Sequence, residues 1–372
     1  MVIGVPREIK DEEHRVAMMP PGVHILTAKG HQVLIEQGAG RGAGTGDEQY
    51  AKAGAHLVAN AADVYARAEM ICKVKEPQPS EYAHLKAGQI LFAYLHLAPS
   101  PELTQALVER QVVAIAYETV ETADGRKPLL EPMSEIAGRM ALPVAAYYLS
   151  SRQGGRGVLL SGVTGVPPAT VTILGGGIVG YNAARMAAGM GAWVYLLDVD
   201  TARMRSLEEL LPPNVTTLMS NRMSVEECVR RADVLVGAVL IPGAKAPRLV
   251  TREMLKLMKP GSVIVDVSVD QGGCVETTHP TTHSDPVYRV DGILHYCVAN
   301  MPGAFGRTAT FALTNVTLPY VVDIADQGWK GAAQANPEIA KGLNIVHGHV
   351  THPAVADAHG MEYVPWDAAT NE

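Results

Sequence analysis

Two stretches of the 372-residue chain hold enough glycine to let a backbone approach a phosphate: GAGRGAGTG at residues 38–46 and GGGIVG at residues 175–180. The first contains a formal G-x-G-x-x-A but little supporting context, and it reads as a structural turn. The second follows the apolar run TVTIL and opens onto YNAARMAAGMGA, whose small residues suit a helix lying close to a sheet. Strand, turn and helix together are the setting that dinucleotide binding requires. Gly175 permits the tight turn, Gly177 the approach of a pyrophosphate, and Gly180 the close packing of helix on strand. Ile178 and Val179 begin the helix whose amides and dipole face the anion. The following run, AWVYLLDVD, reaches Asp198, 18 residues beyond Gly180. A carboxylate there can accept both ribose hydroxyls of NAD and would repel the 2′-phosphate of NADP. Arg203 and Arg205 lie close enough in sequence to pair with a phosphate, so NAD is the favoured cofactor and NADP the alternative.

In open α/β sheets, ligands bind beyond the carboxyl ends of the strands, so polar residues just after each apolar run are candidates. In the second half of the chain this selects Ser220 after NVTTLM, Ala238 and Val239 after DVLVG, residues 268–270 after VIVDV, and Asn300 and Met301 after ILHYCVA. In the first half it selects Lys75 after EMICKV and His96 after QILFAYL, with Arg15 in the loop after the first strand. These are a cation for a carboxylate, an ammonium for a carbonyl, and a titratable imidazole. Each also has a plain structural reading: Arg15 and Lys75 as surface charges, His96 as a core histidine between Leu95 and Leu97. Asp266, flanked by valines, reads as a structural carboxylate satisfied by hydrogen bonds. Asp270, beyond the expected strand end and before Gly272-Gly273, is the better catalytic candidate.

The elements that must position these residues follow from alternation. Runs VIGV, HQVLIE, EMICKVK, QILFAYL and VVAIAYE alternate with helix-like segments, which reads as parallel βα units. From about residue 170 the alternation restarts with six further runs separated by short helices. The predicted fold class is α/β: two doubly wound parallel-sheet domains, the second a Rossmann dinucleotide-binding domain inserted into the first. Long helix-like segments at residues 133–135 onward and at about 305–326 serve as hinges. The expected boundaries are 1–128 plus 304–372 for a substrate (catalytic) domain and 129–303 for the NAD-binding domain.

A formal net charge of −7 without any basic run argues against a nucleic-acid partner or an anionic membrane surface. No run is long and apolar enough to span a bilayer, and the N-terminus MVIGVPREIKDEEHR lacks the apolar core of a secretory signal. The expectation is a cytoplasmic protein acting on small molecules. Cys72, Cys228, Cys274 and Cys297 are scattered, without zinc spacing, and read as reduced, mostly buried thiols. The tail NIVHGHVTHPAVA holds His347, His349 and His352, but without a carboxylate or cysteine at ligand spacing it reads as a strand or hairpin, and no metal site is expected.

Several motifs together are more specific than any one. GVPREIKDEEHRVAMMP, VKEP at residues 74–77, FAYLHLA, PMSEIAGR, VTILGGGIVG, DVSVDQGG and VANMPGAFGRTAT resemble, over essentially the full length, the motifs of the bacterial alanine dehydrogenase family. That resemblance implies NAD-dependent oxidative deamination of L-alanine to pyruvate and ammonium, the reverse reductive amination, and a homohexamer. It implies that Arg15 holds the substrate carboxylate, that Lys75 hydrogen-bonds the substrate's oxygens, and that His96 and Asp270 supply acid–base chemistry. Met133, Ser134, Asn300 and Met301 would flank the nicotinamide, with Asn300 also near substrate; Asp198 would bind the adenosine ribose, and Ser220, Val239, Leu249 and Val267 would line the dinucleotide. Asp270 is then expected to face His96 across an interdomain cleft. The same framework is similar to the NAD-binding part of proton-translocating transhydrogenases and, more distantly, to saccharopine and lysine-ketoglutarate enzymes. A soluble transhydrogenase component and a non-catalytic NAD-sensing module are therefore the alternatives. Hydride exchange between two nicotinamides needs no proton shuttle, whereas deamination does, and the acid–base pair favours deamination.

Overall fold

The structure, a computed structural model, describes residues 1–239 and 246–369. The chain divides into two compact units, Met1–Met133 with Gly303–Glu372, and Ser134–Pro302. In the first unit, strands β1 (Val2–Val5), β2 (Gln32–Glu36), β3 (His56–Val58), β4 (Met70–Cys72), β5 (Ile90–Ala93) and β6 (Val113–Ala116) pair in parallel, in the order β3-β2-β1-β4-β5-β6. In the second unit, β7 (Thr170–Leu174), β8 (Trp193–Asp198), β9 (Val215–Met219), β10 (Val234–Gly237), β11 (Val263–Asp266), β12 (Val287–Val290) and β13 (Ile293–Tyr296) run in the order β9-β8-β7-β10-β11-β13-β12. The strand order reverses beside β1 in one sheet and beside β7 in the other, which is the doubly wound arrangement. The tail returns to the first sheet as β14 (Leu343–Val346) and β15 (His349–Val350), an antiparallel hairpin added beyond β6.

Continuous apolar runs make these strands because both faces of each sheet are covered. Along β7, Val171 and Ile173 enter one core cluster with Val194, Leu196, Val236 and Val265, while Leu174 enters another with Leu197, Leu235 and Ile264. All ten are buried, and each contributes ~1.5–3 kcal/mol on leaving water. Sequence periodicity overlooks β3 and β12. Both are short edge strands with half-exposed residues, so no apolar run marks them.

Two long helices adjoin the places where the chain passes between units, Glu131–Leu149 and Gly306–Ala335. The second is interrupted at Gly328, whose φ of 69° and ψ of 162° are not helical. All four cysteines are buried and free.

On β13, His295 is fully buried, with Nδ1 3.1 Å from the Ile293 carbonyl and Nε2 2.8 Å from the Thr277 hydroxyl. The neutral ring donates to the carbonyl and accepts from the hydroxyl. Burial pushes its pKa down from 6.5 to about 4. Because the folded value lies below the unfolded one, the unfolded chain binds more protons between them. Stability from this group is therefore complete above about pH 6.5 and is lost as the pH falls towards 4. Urea midpoints should drop through that window in the native protein, and His295→Gln should flatten the drop; an unchanged pH slope in the variant would show that other groups drive it.

Candidate active site

In the second unit, β7 ends at Leu174 and the glycine turn begins. Gly175 has φ 98°, and a Cβ there would lie 2.7 Å from the Ala238 carbonyl oxygen at the end of β10. A Cβ on Gly180 would lie 1.8 Å from the Gly175 oxygen, so only glycine lets this helix start so close to its strand. On Gly177 a Cβ would meet none of the described atoms within 4 Å, leaving the turn's outer face open above the first amides of the helix Ile178–Gly189. This open cradle at a helix N-terminus fits a pyrophosphate.

Asp198 ends the neighbouring strand β8. Its Oδ2 accepts the Gly176 N–H at 2.5 Å and its Oδ1 accepts the Asp200 N–H at 2.9 Å. Arg203 donates from Nε to the Gly176 carbonyl at 2.8 Å. Gly176 is thus held on its N–H by a carboxylate and on its C=O by a guanidinium, fixing two successive peptide groups of the glycine turn, and Asp198 keeps lone pairs able to accept further hydrogen bonds. The other dinucleotide candidates follow the same sheet edge. The Ser220 N–H donates to the Asp198 carbonyl at 2.8 Å, Val239 follows β10, Val267 and Asp270 follow β11, and Asn300 and Met301 follow β13. Leu249 donates its N–H to the Cys274 carbonyl at 2.8 Å. Ser134 lies in the first turns of the helix Glu131–Leu149. A Cβ on Gly138 of that helix would lie 2.3 Å from the Val179 oxygen, so the helix packs against the start of the cofactor helix.

β11 ends at Asp266, and residues Val267–Gln271 form a 3₁₀ turn that leaves Asp270 exposed. Asp266 is fully buried and accepts hydrogen bonds from Ser268 N, Cys274 N, Val275 N and the Thr278 hydroxyl. It is an anchor of the strand end.

In the first unit, Arg15, Lys75 and His96 sit beyond the carboxyl ends of β1, β4 and β5. The surface-charge reading fails for both cations. Arg15 is only 2% exposed and Lys75 9%. Glu13, also buried, grips the Arg15 guanidinium in bidentate fashion, with Nε 2.6 Å from Oε1 and Nη2 2.5 Å from Oε2, while Nη1 lies 3.1 Å from the Met133 sulfur. Below Lys75, the fully buried Lys73 lies 3.3 Å from Glu8 and 3.0 Å from Glu81, whose Oε1 also accepts from the Tyr65 hydroxyl. Burial alone would lower the Lys73 pKa, but the two carboxylates raise it above its ordinary value, so it remains an ammonium. Glu8 also accepts the Val74 N–H at 2.7 Å, tying the Lys75 segment to the loop after β1.

The core-histidine reading fails for His96, which is exposed. Its φ of 49° is left-handed, and its N–H donates to Glu118 at 2.5 Å beside that of Leu95. Its ring stacks at 6.0 Å on Tyr94, whose hydroxyl donates to the Leu129 carbonyl. The glycine-rich stretch at residues 38–46 lies on this unit too, bordering a cavity of about 440 Å³ with Glu8, Glu13, His14 and Arg15. A Cβ on Gly42 would sit 2.4 Å from the His14 oxygen, so its glycine serves loop packing.

Sequence reading overlooked Glu8, Glu13, Lys73, Glu81 and Glu118. Glu118 directly follows VVAIAY, and the carboxyl-end rule that selected His96 reaches it as well. Lys73 interrupts an apolar strand end, a signal of a buried pair. Glu13 carries no periodic signal, because a loop has none. Among the described residues, no group of three His, Cys, Asp or Glu side chains is placed to hold a metal.

Two doubly wound sheets, one carrying a glycine turn with an acid at the end of the next strand, define an α/β protein of the dinucleotide-binding class. The chain belongs to the alanine dehydrogenase/PNT family, matching its N-terminal domain over residues 4–137 and its C-terminal domain over residues 141–353. It is 56% identical to the alanine dehydrogenase of Methanococcus maripaludis, over 100% of both chains. Among solved structures it is similar to an L-alanine dehydrogenase, with a TM-score of 0.94, 52% identity, and 97% of this chain and 99% of that one covered. A transhydrogenase from Sinorhizobium meliloti is also similar, at TM-score 0.80 and 28% identity, covering 95% of this chain and 100% of that one.

Removing one partner of a buried ion pair strands the other. Glu13→Ala should therefore destabilise the protein by ~3–5 kcal/mol in urea unfolding. Glu48→Ala should leave the midpoint in place, because the Glu48–Lys52 pair is 82% and 74% exposed. Equal small effects from both would mean that Arg15 does not depend on Glu13.

Proposed function

We propose that this chain catalyses the NAD-dependent oxidative deamination of L-alanine to pyruvate and ammonium, with release of one proton, and the reverse reductive amination. The observation that carries this reading is 56% identity to an alanine dehydrogenase over the whole of both chains. It is supported by buried cations at Arg15 and Lys75 and exposed acid–base groups at His96 and Asp270. Partners are small molecules: L-alanine, pyruvate, ammonium and the dinucleotide. On the family resemblance, we also infer a homohexamer in the cytoplasm; among the described residues, no helix is long and apolar enough to cross a membrane.

NAD fits the open face at Gly177, the first amides of the following helix, and the Asp198 carboxylate at the ribose. When bound, it accepts the hydride from the alanine Cα. Met133, Ser134, Asn300 and Met301 flank the nicotinamide end, and Ser220, Val239, Leu249 and Val267 line the dinucleotide.

This chain's own residues bind and orient the amino acid and move its protons. Arg15, a planar fork charged at any working pH, takes the alanine carboxylate, while Lys75 donates to its oxygens. Fixing the carboxylate at two cations orients the α-hydrogen, and rate is gained through positioning. The ammonium must lose a proton before the hydride departs, so deamination should accelerate as the pH rises. His96 and Asp270 carry the proton transfers at the amine, at the attacking water and at the carbinolamine, and the Asp270 charge stabilises the iminium.

A panel of amino acids and keto acids with NAD and NADP, followed by the absorbance of the reduced cofactor, tests the assignment. Alanine with NAD should give the highest kcat/KM. His96→Ala and Asp270→Asn should each lower kcat by ~10² or more while NAD binding stays within about twofold. Full turnover in both variants would remove the acid–base assignment. Failure to form NADH from alanine, together with hydride exchange from NADH to an NADP analogue, would instead identify a transhydrogenase component.

A further inference from the structure

The carboxylate of Asp266 spans the base of the loop that carries Asp270. Its Oδ1 accepts the Ser268 N–H at 3.1 Å, on the incoming side. Its Oδ2 accepts the Cys274 N–H at 3.0 Å, the Val275 N–H at 3.4 Å and the Thr278 hydroxyl at 2.7 Å, on the outgoing side. One buried side chain therefore closes both ends of residues 267–273. Inside that closure the Gly272 N–H reaches the Val269 carbonyl at 3.0 Å, and the Gly273 N–H reaches the Ser268 carbonyl at 3.1 Å.

Neighbouring glycines make room for this carboxylate. A Cβ on Gly237 would lie 2.5 Å from Oδ1, and one on Gly273 would lie 2.8 Å from Oδ2 and 2.3 Å from the Thr278 hydroxyl. Gly272 and Gly273 adopt φ of 94° and 73°, which a side chain would strain. Ser268 and Val269 are buried, and Asp270 is the exposed side chain that the turn presents. A strand anchor alone would need only the hydrogen bond to Ser268 that caps the turn. The additional bonds to residues 274, 275 and 278 determine where the turn comes back, and hence the aim of Asp270.

We propose that Asp266 is a positioning residue for the reaction, acting through Asp270 by clamping both ends of its loop. This rests on the acid–base reading of Asp270 given above. Among the described residues five hydrogen-bond donors, the Cys274 thiol at 3.7 Å from Oδ1 included, converge on a carboxylate that has no contact with solvent, so an acceptor of this charge and shape has no equivalent among neutral side chains. Asp266→Asn keeps volume and one oxygen but points an amide N–H₂ at donors. Thr278→Val removes a single donor and keeps its shape.

The test is a double-mutant cycle on the full-length enzyme, with kcat for alanine, KM for NAD and the pH profile of kcat as readouts. Asp266→Asn should lower kcat by ~10-fold or more and Thr278→Val by ~3-fold, each with KM for NAD within about twofold. In an Asp270→Asn background neither should lower kcat further, because the group they position is gone. Losses that multiply in that background, or normal kcat in Asp266→Asn, would overturn the proposal while leaving the acid–base role of Asp270 standing. An Asp270→Asn enzyme with full kcat would overturn that role, and the positioning proposal with it. Should Asp266→Asn fail to fold, the Thr278→Val pair decides by the same criterion.

Discussion

A parallel sheet delivers every strand's carboxyl end to one edge, and each strand that arrives there must release its chain into a loop whose backbone groups have lost their ladder partners. The rest of this structure depends on how that edge is satisfied. Both sheets share the order that reverses beside their first strand. Loops leaving neighbouring strands there diverge and open space for a ligand. Arg15, Lys75 and His96 occupy the edge of one sheet, and Gly175, Asp198, Ser220, Val239 and Asp270 that of the other.

Carboxylates supply much of the missing hydrogen bonding, and they do so by the same device in both units. Asp198 takes the Gly176 N–H, Asp266 takes those of Ser268 and Cys274, and Glu118 takes those of Leu95 and His96. Glu8 takes the Val74 N–H and Glu36 that of Arg7. A charged acceptor forms a stronger bond to an amide than a neutral one does, so a single side chain can hold a turn with no regular structure of its own. Loops held in this way can be both irregular and well placed, as is the segment of His96, at a left-handed φ of 49°.

Buried cations answer a different demand. An anionic substrate binds strongly to a guanidinium or ammonium that water cannot screen, yet such a cation must not be left alone in the fold. Arg15 is satisfied along one edge of its fork by Glu13, and the charge beneath Lys75 is balanced by placing Lys73 between Glu8 and Glu81. The fold itself is similar to that of both an L-alanine dehydrogenase and a transhydrogenase, at 52% and 28% identity among the solved structures. Fold alone therefore does not select between the two chemistries, and the reacting groups carry that decision.

The amino-acid sequence by itself determined the fold class, the glycine turn with its acid, and the strand ends that carry Arg15, Lys75, His96 and Asp270. Those features are local: an apolar run, a turn that only glycine can make, and a polar residue one or two positions past a strand are legible wherever they occur. Tertiary structure decided the rest. Whether Arg15 and Lys75 were surface charges, or His96 a core residue, depended on what packs around them, and the structure buries both cations and exposes the imidazole. The edge strands β3 and β12 escaped periodicity because half-exposed residues do not form an apolar run. The partners of Asp266 lie up to 12 residues along the chain, and Glu118 reaches His96 across 22. Contacts of that kind leave no trace in local pattern, since a carboxylate's need for donors says nothing about which turn of the chain will bring them.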